Sequence, residues 1–301
     1  MTEIRVGRRI VIVSKLDKPL FPDGITKKDL IDYYLGIGDV MVRHIKGHLL
    51  TLERYPDGID GKQWFQKGAP DYFPDWIERA EVPKKGGTVA HVVCNERATL
   101  VYLANQAAIT LHMSLSRKDA ITKPDQLVFD LDPSSEDFKV VREVAGMMRG
   151  LLDELGLTSF VKTSGSRGLH IVVPLDRSSD FEEARAFAVD AANVVAGRAP
   201  KVVTTEVRKV ERKGRLFLDY MRNNYAQTVV APYSVRPRSG APVSMPITWD
   251  EVDDRKLTAQ RYKIDNAITE LQRSGNPWAG WRRRAKSLRP ARKKRDRLMG
   301  P

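Results

Sequence analysis

The stretch Leu127-Val128-Phe129-Asp130-Leu131-Asp132-Pro133 decides how this chain is read. Its apolar residues predict a buried strand, and the strand ends in two aspartates one residue apart. Side chains on a strand alternate between faces, so Asp130 and Asp132 point the same way, roughly 7 Å apart along the chain. Carboxylates set side by side repel unless a proton or a cation lies between them. Hard divalent ions such as Mg²⁺ and Mn²⁺ take oxygen ligands, which makes the pair a candidate bridge for two of them. The alternative is a plain strand exit, since Asp and Pro both favour turns.

Other segments bear on that choice. Gly214-Arg215-Leu216-Phe217-Leu218-Asp219-Tyr220 is a second apolar strand delivering an aspartate, and a carboxylate there needs compensation. Brought beside the first pair, Asp219 would complete an oxygen shell for two metals. Thr163-Ser164-Gly165-Ser166-Arg167-Gly168-Leu169-His170 links two predicted strands. Its glycines permit close approach of a phosphate, its N–H groups and serines can donate, and Arg167 adds charge. An ordinary hairpin turn fits the same letters. Ala231-Pro232-Tyr233-Ser234-Val235-Arg236 ends a strand on an arginine suited to bidentate phosphate contact. Arg208, Lys209, Arg212, Lys213 and Arg215 crowd a predicted turn before Asp219. Lys15, Lys18, Lys27 and Lys28 surround the first turn. Trp64 and Phe65 are adjacent, so a strand would turn one inward and leave the other to stack on a base. Basic loops are commonly just solvated; here they accompany strand-borne aspartates and a Gly-Ser turn, the parts two-metal nucleotidyl transfer requires.

Working outward, residues 3–13 alternate as an opening strand or hairpin. Thr26 with Asp29 forms a capping-box variant before a helix to about His44. Short strands are expected near 49–52 and 63–66, a short helix near 75–80, and a strand at 88–94. A helix at 98–107 leads into a strand at 109–113. Ser134 or Ser135 is expected to cap an amphipathic helix that Gly156 stops. Strands at 159–162 and 169–173 flank the Ser-Gly turn, and a helix runs from Asp180 to about Ala196. Strands near 201–205, 216–220 and 228–231 and a helix near 258–273 complete an α+β pattern.

Of the net charge of +13, the segment from Arg282 to Pro301 supplies +9, with ten Lys or Arg against Asp296, leaving about +4 for the rest. That segment is expected to be a disordered basic tail. No apolar run suggests a membrane span. The N-terminus lacks the apolar centre of a signal peptide. One cysteine, Cys94, excludes an internal disulfide framework and fits the cytoplasm. No His/Cys cluster suggests structural zinc.

In order, 128–133, 163–170, 217–220 and 231–236 resemble the polymerase domain of bacterial end-joining ligase D, a member of the archaeo-eukaryotic primase superfamily. The resemblance runs from about Val13 to Tyr262. It implies a primase-polymerase fold with an RRM-like catalytic module and mixed sheets flanked by helices. Residues 1–281 would be one catalytic domain, with 1–125 serving DNA ends and template and 126–281 catalysis, followed by the 282–301 tail. The implied activity is template-dependent addition of ribo- or deoxyribonucleotides at gaps, overhangs and 5′-phosphorylated ends during double-strand break repair, with two Mn²⁺ or Mg²⁺ ions. Asp130, Asp132 and Asp219 would hold the metals, while Ser164, Arg167, His170, Arg236 and His112 would bind the nucleotide. Lys18 and Lys27, with Lys15, would hold the 5′-phosphate. Trp64 and Phe65 match a template-side aromatic pair, Arg54 a DNA contact, and Lys209, Arg212 and Arg215 a mobile primer loop. Arg167 stands where lysine is common, Glu53 where a basic residue often precedes Arg54, and His112 precedes Met-Ser-Leu rather than a Trp-containing run. With no ligase or phosphoesterase sequence following, a stand-alone, nucleoid-associated protein is expected. It would work as a monomer or end-synapsed dimer with a separate ligase and a Ku-like end binder. De novo priming, or a DNA-end adaptor role, are the competing readings.

Overall fold

The computed structural model describes residues 1–84 and 86–299, with side chains as far as 296 at the C-terminal end. In chain order the first elements are β1 (Thr2–Val6), β2 (Arg9–Val13), α1 (Lys27–Ile45), β3 (His48–Arg54), β4 (Trp64–Gln66), β5 (Arg79–Lys84), β6 (Gly87–Val93), α2 (Arg97–Asn105) and β7 (Ala108–Arg117). There follow β8 (Gln126–Asp132), α3 (Phe138–Glu154), β9 (Phe160–Thr163), β10 (Leu169–Pro174), α4 (Phe181–Arg198), β11 (Val203–Thr204), α5 (Lys209–Arg212) and β12 (Leu216–Asp219). The last are β13 (Thr228–Val230), β14 (Pro246–Ile247), α6 (Trp249–Asp253), α7 (Ala267–Ser274) and α8 (Leu288–Met299).

The fold is α+β, and it divides into two compact units that take turns along the sequence. The first comprises Met1–Ser114, Thr228–Met245 and Tyr262–Asn276; the second comprises Leu115–Gln227, Pro246–Arg261 and the remainder from Pro277. The expected division at 125/126 gives way to this interleaving because β13 returns to pair antiparallel with β7. The first unit holds the β1–β2 hairpin and a sheet ordered β13-β7-β3-β6-β5, with β4 paired to β3. Its α1 starts at the expected capping box, where Thr26 accepts from the Asp29 amide and Asp29 accepts from Thr26. Leu30, Tyr34, Ile37 and Met41, at helical spacing, are fully buried.

The second unit is built on a sheet ordered β11-β12-β8-β10-β9-β14. Its β8-α3-β9-β10-α4-β12 succession, with the antiparallel order β12-β8-β10-β9, is a βαββαβ split unit of the RRM type. β11 adds a parallel edge, so the sheet is mixed. On β8, Leu127, Phe129 and Leu131 alternate with Asp130 and Asp132 and are fully buried. Both α3 and α4 pack against β8. One face of the central strand is therefore apolar, and the other carries the carboxylates.

Several local expectations are corrected. No helix forms at 75–80: residues 75–77 are a turn in which the Ile77 N–H donates to the Pro74 carbonyl, and Arg79 and Ala80 already belong to β5. The cap of α3 is Asp137, whose side chain accepts from the Lys139 amide, while Ser134 donates its hydroxyl to the Arg215 carbonyl. Gly156 stops the helix as expected, in the left-handed region at φ +78. The helix expected at 258–273 starts only at Ala267, and α6 precedes it. Residues 288–299 are helical rather than disordered: Leu288 and Ala291 are buried, and Arg295 pairs with Asp190 on α4.

Candidate active site

The register of the second sheet lines up four ionisable residues across four strands. Lys162 on β9 lies opposite His170 on β10, His170 opposite Asp130 on β8, and Asp130 opposite Asp219 on β12. Directly opposed residues of an antiparallel pair place their side chains on the same face, with Cβ atoms about 5 Å apart. Two segments separated by most of a hundred residues thus bring Asp219 beside Asp130, with Asp132 on the same face of β8.

The electrostatics record that convergence. Burial pushes the Asp219 carboxyl up, and Asp130 and Asp132 add to the push. Burial opposes ionisation of Asp130 too, but His170, Arg222 and Lys162 outweigh it and hold its pKa down at about 2. His170 Nε2 is 3.4 Å from Asp130 Oδ1, and Lys162 Nζ is 3.0 Å from His170 Nδ1. With Lys162 charged, its ammonium would donate to Nδ1 and leave Nε2 to carry the ring proton toward Asp130. Lys162, only 1 % exposed, was missed in the sequence although the signal was there: a lysine inside the apolar run Phe160-Val161-Lys162.

Asp132 is engaged by arginines. Arg167 reaches Oδ1 at 2.7 Å and Arg212 reaches Oδ2 at 3.1 Å. Arg212, expected in a primer loop, lies at the end of the short α5 and turns inward. It is buried, also donates to the Glu206 and Val207 carbonyls, and lies 3.9 Å over the Phe217 ring. Arg215 donates to the carbonyls of Arg212 and Glu211, so it braces the short α5, and Lys209 is exposed. Among the described residues no three His, Cys, Asp or Glu side chains are already arranged as a metal cluster, in keeping with Asp132 being turned to its arginines. The donor set nevertheless suits a hard cation: three carboxylates on two adjacent strands, two of them raising the pKa of the third.

The Ser-Gly turn is ordered by its own hydroxyl. Ser164 Oγ accepts from the amides of Ser166, Arg167 and Gly168 at 3.1–3.2 Å, filling the nest that the sequence suggested for a phosphate. Gly168 is obligatory there, because a Cβ would lie 1.7 Å from the Leu131 carbonyl oxygen. What the turn offers outward is the half-exposed Arg167 side chain.

The remaining expected site residues lie in the first unit, Arg236 and His112 included. His112 Nε2 is 2.9 Å from Glu53 Oε2, and the buried Glu53 also accepts from Tyr55 at 2.7 Å and Gln63 at 2.6 Å. Burial raises the Glu53 pKa, but His112, Tyr55 and Arg236 reverse this and set it at about 2. Arg54 donates to Gln106, Gln66 and Tyr72, which fix its guanidinium within the unit. Trp64 and Phe65 are both exposed, at 52 % and 62 %, because the three-residue β4 lies at a sheet margin; the one-in, one-out expectation fails. Phe65 tilts against His112 with ring centroids 6.0 Å apart, and Lys62 sits 4.4 Å over Trp64. Lys18 pairs with Asp57 at 2.8 Å and Lys27 donates to the Ser14 carbonyl. Burial lowers the Lys27 pKa, and repulsion from Lys18 and Lys15 lowers it further, so the three cations converge around the first turn.

The chain belongs to the LigD primase-polymerase domain family, whose model matches residues 26–278. It is 37 % identical over 270 residues to the multifunctional non-homologous end joining protein LigD of Mycolicibacterium smegmatis, covering 88 % of this chain and 35 % of that protein. It is 33 % identical over 268 residues to the bifunctional non-homologous end joining protein LigD of Bacillus subtilis, covering 88 % of this chain and 43 % of that protein. The chain therefore spans well under half the length of these curated relatives. Among solved structures it is similar to the polymerase domain from Mycobacterium tuberculosis ligase D in complex with DNA, with a TM-score of 0.86 and 34 % identity. That match covers 91 % of this chain and 99 % of the other.

Proposed function

We propose that this chain is a template-dependent nucleotidyltransferase that adds ribo- or deoxyribonucleotides to 3′ ends at gaps and overhangs in non-homologous end joining. The observation that carries the reading is the register of Asp219 opposite Asp130, with Asp132 two residues along on the same face. These three would hold Mn²⁺ or Mg²⁺, two ions per site. When bound, such ions lower the pKa of a 3′-hydroxyl and offset charge on a departing pyrophosphate. The 3′-oxygen attacks the α-phosphorus in line, loses its proton, and the bond to the β-phosphate oxygen breaks.

The chain's own residues then have distinct tasks. Arg167, on an exposed arm, exchanges Asp132 for a triphosphate oxygen, an anion it can grip in two-pronged fashion. His170, held by Lys162 with its proton on Nε2, donates toward the same charge. Arg236 and His112 contribute nucleotide contacts, and Phe65 and Trp64 supply flat apolar faces on which template bases stack. Lys15, Lys18 and Lys27 receive the 5′-phosphate, which relieves their mutual repulsion. A ligase activity would seal the product, and a Ku-like protein would present the ends.

Extension of a 5′-phosphorylated gapped duplex, with NTPs and dNTPs and with Mn²⁺ and Mg²⁺, tests the reading. Asp130→Ala should lose extension by about 10³-fold or more while the fold and DNA affinity persist. Full extension by that variant would overturn the assignment.

A further inference from the structure

The family match stops at residue 278, and the basic segment starts at Arg282. That segment is a built element. Leu288 and Ala291 are buried, Arg292 reaches Glu183 at 3.4 Å and Arg295 pairs with Asp190, so one side of α8 is fixed to α4. Lys286 donates to the Gly156 carbonyl at 2.7 Å, anchoring the preceding turn. Arg282 is drawn in over Trp281, and burial lowers its pKa to about 10. Four cations are thereby committed to holding the segment in place.

Five others are exposed: Arg283, Arg284, Arg289, Lys293 and Lys294. Among the described residues, none of the five has a carboxylate partner, whereas Arg292 and Arg295 on the opposite side of α8 have theirs. Arg289 and Lys293 are one helical turn apart on the same face, and Lys294 is beside them. Like charges at that spacing destabilise a helix. A mobile tail would relieve the repulsion by spreading; a helix fixed by two ion pairs and two buried side chains cannot. The one acid of the segment, Asp296, is taken up by Arg295, and the remaining row of fixed positive charge fits an extended polyanion.

We propose that the outer face of α8 and the turn before it form a docking surface for the phosphate backbone of duplex DNA. This lies outside the family domain and adds sequence-independent grip to it. The choice of DNA as the polyanion rests on the nucleotide-adding reading above, while the surface itself does not.

The test uses the full chain and a labelled 5′-phosphorylated gapped duplex, with affinity measured between about 50 and 200 mM salt. Each phosphate neutralised contributes about 0.9 to the slope of log K against log salt. Arg289→Ala/Lys293→Ala/Lys294→Ala should lower affinity on the order of tenfold and flatten the slope by about 2 to 3. The charge-preserving Arg289→Lys/Lys293→Arg/Lys294→Arg should match the parent in both. Should the triple variant melt early, the single Lys293→Ala gives the same comparison, with an expected slope change of about 1. An unaltered slope in the alanine variants would overturn the proposal. So would unchanged DNA binding accompanied by lost binding to polyglutamate, which would assign the surface to an acidic protein. Extension at saturating DNA is read separately: a parent protein that binds through α8 but adds no nucleotide defeats the polymerase reading alone.

Discussion

Glu53 in the first unit and Asp132 in the second are both carboxylates at the ends of strands, yet they are held in opposite ways. Glu53 accepts from a tyrosine, a glutamine and a histidine, all short-tethered and packed around it. Asp132 is held by two arginines, one of them on an exposed loop. Glu53 is itself buried, and three short hydrogen bonds take up its oxygens. Long cationic arms can be replaced by another cation at little steric cost. The contrast separates a carboxylate bound by neutral or short-armed donors from one paired with long cationic arms, although both are simply acidic residues in the sequence.

The sharpest way to break the contrast is to move the loop that carries Arg167. Gly168→Ala forces a Cβ against the Leu131 carbonyl, 1.7 Å away, so the turn must shift and carry Arg167 off Asp132. A loss of about 4 kcal/mol in denaturant unfolding, with extension abolished, is expected. Parent-like stability would mean the turn can relax freely. Glu53→Ala comes next: three donors lose their acceptor at once, and a cost of about 3 kcal/mol should appear in thermal or urea melts.

Acid separates Glu53 from Asp219 by sign. The Glu53 pKa is depressed in the folded state, from an ordinary 4.5 to about 2. Its stabilisation, at most about 3 kcal/mol, is therefore complete above the ordinary value and is lost as pH falls toward the folded one. Glu53→Gln should lack that acid dependence, and a Glu53→Gln melt that tracks the parent between those pH values would refute the assignment. Lys18→Ala with Lys27→Ala should reduce the preference for 5′-phosphate over 5′-hydroxyl gaps by about tenfold, measured by competition binding. The smallest effect has the opposite direction. Burial, Asp130 and Asp132 all disfavour the charged form of Asp219. Asp219→Asn should thus gain up to about 1 kcal/mol in thermal melts while losing extension, a stability gained by giving up a functional charge.

The strands that deliver the aspartates were legible because each is a short apolar run closed by an acid, and both ends of that pattern are local. The cap at Thr26 was legible for the same reason, and so was the start of α4 near Asp180. What escaped was set by partners far along the chain. Arg212 reads as one more loop cation until Asp132, eighty positions away, draws it inward. The partners that fix Arg54, namely Gln66, Tyr72 and Gln106, are likewise not announced by its sequence neighbours. The basic C-terminal segment reads as unstructured because its charge pattern dominates its two apolar anchors, Leu288 and Ala291. Lys162 was locally conspicuous and still overlooked, since the serine-glycine turn beside it drew the chemical argument.

The alternation of the chain between its two units has a consequence for biosynthesis. The first unit is incomplete when residue 114 leaves the ribosome, because β13 and the 262–276 segment belong to it as well. An amino-terminal portion that folds early during translation is thus not available here. Nascent chains must keep the exposed edge of β7 unpaired for more than a hundred codons, a window in which a chaperone or a slow stretch of message would affect yield more than any catalytic residue does.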